Sequence, residues 1–258
     1  MSNILDISRS KGCTNPRDKI YGLLGIAPTY FSKGVVVNYL KPVQDVYKEA
    51  FVTYLNTTKR LELLKHCVLG DRKIGGPSWV PDWSQTEFAA PILSEQLSSG
   101  ISQACFTYIG ADLLDVVGKQ YTTIKTLSGI ASKIEEKTLF AVGNWFQYLP
   151  NNSTYVTGET IETAFALTLC MNRTRERHPY NHFLSTREWV TMVRNMLHLD
   201  AASQDDPIFS ARETANTIQK LRGRRFFTTE TGHIGTAPAG VEIGELVIPS
   251  LLFLLTSR

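Results

Sequence analysis

The chain has 258 residues, of which 43% are hydrophobic and 20% charged, and its 27 basic and 24 acidic side chains leave a formal net charge of +3. That length supports a true buried core, and that balance excludes intrinsic disorder. A charge so close to neutral excludes a general attraction to nucleic acid or to an anionic membrane, and no stretch approaches 18 uninterrupted apolar residues.

The N-terminal run MSNILDISRSKG lacks the apolar centre of a signal peptide. The four cysteines, Cys13, Cys67, Cys105 and Cys170, form no Cys-x-x-Cys pair and read as mostly buried thiols in a reduced, cytoplasmic setting. The next segment, TNPRDKIYGLLGIAP, predicts a short helix from about Pro16 to Leu24. Asn15 serves as its N-cap, Asp18 meets the positive helix end, Gly25 stops it in the left-handed conformation, and Ile26 folds back as the hydrophobic contact. A helix so short is marginal alone, so Ile20, Tyr21, Leu23 and Leu24 must be held by tertiary packing.

A longer amphipathic helix follows, with Val43, Val46, Tyr47, Ala50, Phe51 and Tyr54 at helical spacing behind Pro42. RLELLKHCVL fits a short helix or a strand equally well. Two glycines and two prolines make residues 71–84 an extended loop whose tryptophans need cover. From about Gln103 the period changes to short β-branched and aromatic runs, which predict a three-stranded antiparallel meander. Helical patterns return around Phe140, Trp145 and Phe146, then over GETIETAFALTLCM behind a Thr157 cap. STREWVTMVRNMLH opens with a Ser185–Glu188 capping box, and a second box, Ser210 to Glu213, opens a helix that ends at Gly223. The C-terminal part is β again, with strands near 224–229, 233–236 and from Glu245. Together these elements predict an α+β fold in one compact domain over residues 1–258. Strands near 103–127 and 224–255 would close a small antiparallel β-barrel packed with several α-helices.

No nucleophile elbow, phosphate loop or dinucleotide fingerprint is present, so neither a cofactor nor a metal is called for. His178 and His182 have helical metal spacing, but Pro179 breaks the helix they would need. His66 beside Cys67 reads as a core cysteine next to a surface histidine rather than an activated thiolate. Other residues have two readings each. Arg17 and Asp18 diverge by roughly 100° on a helix, so each needs its own partner, structural or ligand. Trp79 and Trp83 flanking Pro81 and Asp82 suit either a rigid connector or the aromatic wall of a small-molecule pocket. His233, just after Thr231-Gly232, suits either a packed hairpin ring or an exposed imidazole.

Three segments, TNPRDKIYGLLGIAP, PSWVPDWS and GRRFFTTETGHIGTAPAGVEIGELV, occur in this order. Together they resemble the blocks found downstream of the effector domain in fungal heterokaryon-incompatibility proteins. Thr14, Pro16, Arg17, Asp18, Lys19, Ile20, Tyr21, Leu23, Leu24 and Gly25 match the first block, with Asn15 and Gly22 as departures. The N-terminal effector domain of that family has no counterpart here. The resemblance implies a regulatory or interaction module acting on a protein partner. The alternative is a stand-alone, cofactor-free enzyme of secondary metabolism, a cyclase, isomerase or dehydratase acting on a hydrophobic small molecule. In that version Asp82 is the general acid or base, Arg17 the anion stabiliser and His233 the proton shuttle, with Trp79, Trp83 and Tyr21 lining the substrate. The sequence leaves the oligomeric state open.

Overall fold

A computed structural model describes residues 1–8, 11–67, 72–85, 103–132, 135–151, 153–179, 183–196, 215 and 219–248. The fold is α+β and consists of two compact units, one built mainly from residues 1–121 and the other mainly from residues 122–246.

The first unit is organised by α4 (Val43–Thr58), which starts after Pro42 and ends at Lys59, a left-handed residue whose N–H caps the Leu55 carbonyl. Its buried face carries Val46, Tyr47, Ala50, Phe51, Tyr54 and Leu55, the helical stripe expected from spacing. Around it pack α1 (Ser2–Ser8), α2 (Asp18–Tyr21), α3 (Thr29–Gly34) and a 3-10 turn at Glu62–His66. The core holds Leu5, Ile20, Phe31, Leu63, Val80 and Trp83. A hairpin of β1 (Phe106–Ile109) and β2 (Leu113–Val116) adds its inner face, Phe106, Tyr108, Leu114 and Val116.

Helix α2 is shorter than the sequence suggests. Its N-cap is Arg17, which makes no side-chain cap, rather than Asn15, whose Oδ1 accepts the Arg17 N–H at 3.0 Å in the turn before the helix. Beyond Tyr21, however, the Leu23 and Leu24 N–H groups bond back three residues to Ile20 and Tyr21. This tightened turn needs no left-handed stop, so Gly25 has no positive φ, and Ile26 is exposed rather than folded back.

β3 (Thr122–Leu127), β4 (Arg224–Thr229) and β5 (Ile234–Pro238) of the second unit and β6 (Leu246–Val247) form one sheet in the order β5-β4-β3-β6. The expected meander is not formed. β3 has β4 on one edge and β6 on the other, which leaves no ladder for β2, and β1–β2 is a separate two-stranded sheet. The four-stranded sheet is curled but open, so the small closed barrel is replaced by a half-barrel. Among the described residues, α5 (Glu135–Trp145), α6 (Ile161–Leu169), α7 (Thr186–Met196) and a helical end at 219–221 accompany it. Trp145 stacks on Phe226 at 5.9 Å and Phe165 meets the same ring edge-on at 5.6 Å. Phe140, one of the residues that carried the helical pattern, is exposed, because it occupies the opposite face of α5 from buried Thr138, Val142 and Trp145.

The Ser185–Glu188 capping box is present and reciprocal, each backbone N–H donating to the other's side chain at 2.7 and 3.3 Å. The α6 cap is Thr160 rather than Thr157, whose hydroxyl instead donates to Glu159. The second capping box and the last expected β residues, 249–255, lie outside the described residues. Of the cysteines expected to be mostly buried, Cys13 and Cys105 are exposed, because they sit in loop and strand-entry positions rather than on core faces.

Candidate functional site

The Pro-Arg-Asp-Lys-Ile-Tyr block lies on and just before α2, one helical turn whose side chains leave in different directions. Each reaches a different piece of chain in the first unit. The Arg17 guanidinium donates to the Lys41 carbonyl at 2.7 Å and to Asn15 at 3.3 Å. Asp18 accepts the Tyr39 hydroxyl at 2.6 Å. Buried Lys19 donates to the carbonyls of Ser8 and Lys11, joining the segment after α1. The Tyr21 hydroxyl meets both the N–H and the carbonyl of Asn38, at 3.1 Å each. The Pro16 carbonyl accepts the buried Tyr47 hydroxyl of α4 at 2.7 Å, and burial raises the pKa of that phenol. Arg17 and Asp18 thus take separate partners, as their angular spacing requires, and both partners are parts of the protein.

The tryptophan-proline connector is organised from within in the same way. Asp82, 6% exposed, accepts four hydrogen bonds. These come from the Lys73, Ile74 and Ser84 backbone N–H groups at 3.0, 3.3 and 3.0 Å, and from the Ser84 hydroxyl. Four donors use the acceptor directions of a carboxylate, so none remains for a substrate proton. Arg72 donates to the Pro77 and Val80 carbonyls at 2.6 and 2.9 Å. Trp83 is buried edge-on against Tyr47 at 5.2 Å. Half-buried Trp79 donates Nε1 to the Asp112 carbonyl at 2.8 Å and contacts Phe51 and Tyr108. Cys67 donates to the Trp79 carbonyl, and burial drives its thiol pKa upward, which keeps it protonated and unreactive.

His233 belongs to the second unit, in the β4–β5 hairpin. Its N–H donates to the Thr229 hydroxyl and its carbonyl accepts the Thr229 N–H, both at 2.9 Å. Its Nδ1 lies 2.9 Å from the Thr231 hydroxyl, whose own proton is directed to Thr122 at 2.9 Å. The Thr231 hydroxyl also lies 3.3 Å from that of Thr229, so the imidazole joins a cluster of hydroxyls whose proton directions follow its tautomer. Desolvation lowers the imidazole pKa below its ordinary 6.5. The unfolded chain therefore takes up the proton first. Stability from this site is complete above about pH 6.5 and declines as pH falls through the lowered folded value. Urea unfolding should show this decline, and His233→Gln should flatten it.

The candidate residues therefore fall into separate sets: Arg17 and Tyr21 around α2, Trp79, Asp82 and Trp83 in the connector, and His233 in the other unit. Sequence reasoning missed the segment that the α2 block holds in place. Val36, Val37, Tyr39 and Leu40 are 63%, 53%, 51% and 93% exposed. The only signal was Val35-Val36-Val37, an apolar run with neither helical nor alternating period. No family model matches this chain, and no curated protein or solved structure is significantly similar to it. Among the described residues no cluster of three metal-ligating side chains occurs, and no helix is long and apolar enough to cross a membrane.

Proposed function

We propose that this chain is a non-enzymatic interaction module of the heterokaryon-incompatibility type, presenting the 36–40 ribbon to a protein partner. The observation that carries this reading is the contrast between the two sets of side chains. The groups equipped for chemistry, Arg17, Asp82 and His233, all bind the protein's own backbone or hydroxyls. The apolar side chains of the ribbon, by contrast, face solvent on a hydrogen-bonded support. Exposed apolar residues gathered on one short segment are the usual mark of a contact surface. Holding that segment in one conformation reduces the ordering cost of binding. Closure around a hydrophobic metabolite would instead need a polar group aimed away from the scaffold.

The test is photo-cross-linking in cells from a reactive residue placed at position 40. A defined protein adduct is expected, absent when the residue is moved to exposed position 243. In parallel, the purified protein is incubated with cellular metabolite extracts, and unchanged profiles are expected. Consumption of a metabolite that disappears with Asp82→Asn would establish the enzyme instead.

A further inference from the structure

We infer that the occupant of the 36–40 ribbon is the same ribbon of a second copy of this chain, paired across a two-fold axis. The inference rests on the reading of the ribbon as a contact surface and names the partner.

Three observations support a second copy. The first is area. Four side chains half or more exposed, one of them Leu40 at 93%, form an apolar strip of a few hundred Å². Two such strips face to face bury on the order of 1,000 Å², the lower edge of specific association. The second is charge. Residues 35–40 read Val-Val-Val-Asn-Tyr-Leu and carry none, so identical strips meet without like-charge opposition. At one flank Lys41 is neutralised by Glu49 at 2.8 Å, and at the other stands Lys33. The third is the backbone. Val35 is extended, and among the described residues Val36 and Val37 have no backbone hydrogen bonds, which leaves donors and acceptors open for pairing with another chain.

The ribbon is tied to the first unit at both ends. Thr53 donates to the Gly34 carbonyl at 3.1 Å, and a side chain at Gly34 would overlap Thr53, so the ribbon leaves α3 in close contact with α4. Downstream, Asn38 closes a turn by accepting the Leu40 N–H on its side chain at 2.8 Å and the Lys41 N–H on its carbonyl at 3.2 Å. Tyr21 and Arg17 hold that turn from α2.

Sedimentation velocity of the purified full chain tests the inference. A monomer–dimer equilibrium with a dissociation constant on the order of 10–100 µM is expected, given the small area. Leu40→Glu and, independently, Val36→Lys should each weaken it at least about tenfold, because both put a charge at a dry two-fold contact. Ile243→Glu, at an exposed apolar residue of the other unit, should leave it unchanged. Sulfate should strengthen the association, as apolar burial requires, whereas pairing with an oppositely charged surface would weaken with salt. Concentration-independent monomer up to about 500 µM, well above the expected constant, overturns the inference, as does equal weakening by Ile243→Glu. Either result leaves the interaction-module reading intact if position 40 cross-links to a different protein.

Discussion

Replacing Asp82 with alanine is expected to destabilise the first unit by roughly 2–4 kcal/mol, because the substitution removes a buried carboxylate that four part-buried donors share. The carboxylate joins two stretches of the connector, the Lys73–Ile74 backbone and the Ser84 turn, and among the described residues no other acceptor is aimed at those N–H groups. Trp83 follows directly, so release of the turn also loosens its seat against Tyr47. Asp82→Asn should cost less, since one amide oxygen can still accept. The shift is read as a change in urea midpoint by tryptophan fluorescence. An unchanged midpoint for Asp82→Ala would remove the scaffold role and return the carboxylate to chemistry.

The second large effect is expected at Gly232, where alanine should cost roughly 2–3 kcal/mol. The residue has φ +83° in the turn between β4 and β5, a conformation that a Cβ disfavours. An added Cβ would also lie 2.9 Å from Cγ1 of Val156, in the loop whose Tyr155 hydroxyl accepts the Ile234 N–H at 2.9 Å. Strain and overlap are separable. Val156 is half exposed, so Val156→Ala alone should cost little, and adding it to Gly232→Ala should recover the overlap component but not the backbone component. Gly129→Ala serves as the control. Nothing lies within 4 Å of a Cβ there and its φ is not positive, so it should stay within about 0.5 kcal/mol of the parent.

Local codes in this chain were legible. The apolar spacing of residues 43–54 placed both the helix and its buried face, and Ser185 with Glu188 marked the start of α7. The strand at Arg224–Thr229 and the turn at Thr231-Gly232 followed from β-branched content and a glycine. Strand partners were not legible in the same way. Three consecutive β runs suggested a meander because nothing in 106–127 specifies which edge each strand will use. β4, about a hundred residues later, competes for β3 and wins it through a ladder that includes a Thr126–Thr228 hydroxyl contact at 2.6 Å. The end of α2 failed for a related reason. A glycine at the right place predicts a left-handed stop only when the last carbonyls lack other donors, and here the Leu23 and Leu24 N–H groups supplied them.

For the candidate site the division is sharper. Residue identity alone determined that Arg17 and Asp18 need separate partners, that the tryptophan-proline stretch is irregular, and that His233 sits at a turn, since all three follow from bond geometry within a few residues. Whether those groups face a ligand or the protein itself depended on hydrogen bonds spanning from two residues, as with Asp82 and Ser84, to twenty-four, as with Arg17 and Lys41. The exposure of Val36, Val37 and Leu40 was likewise decided in three dimensions. An apolar residue has no directional signal of its own, and only the placement of the surrounding elements determines whether water or another side chain lies against it.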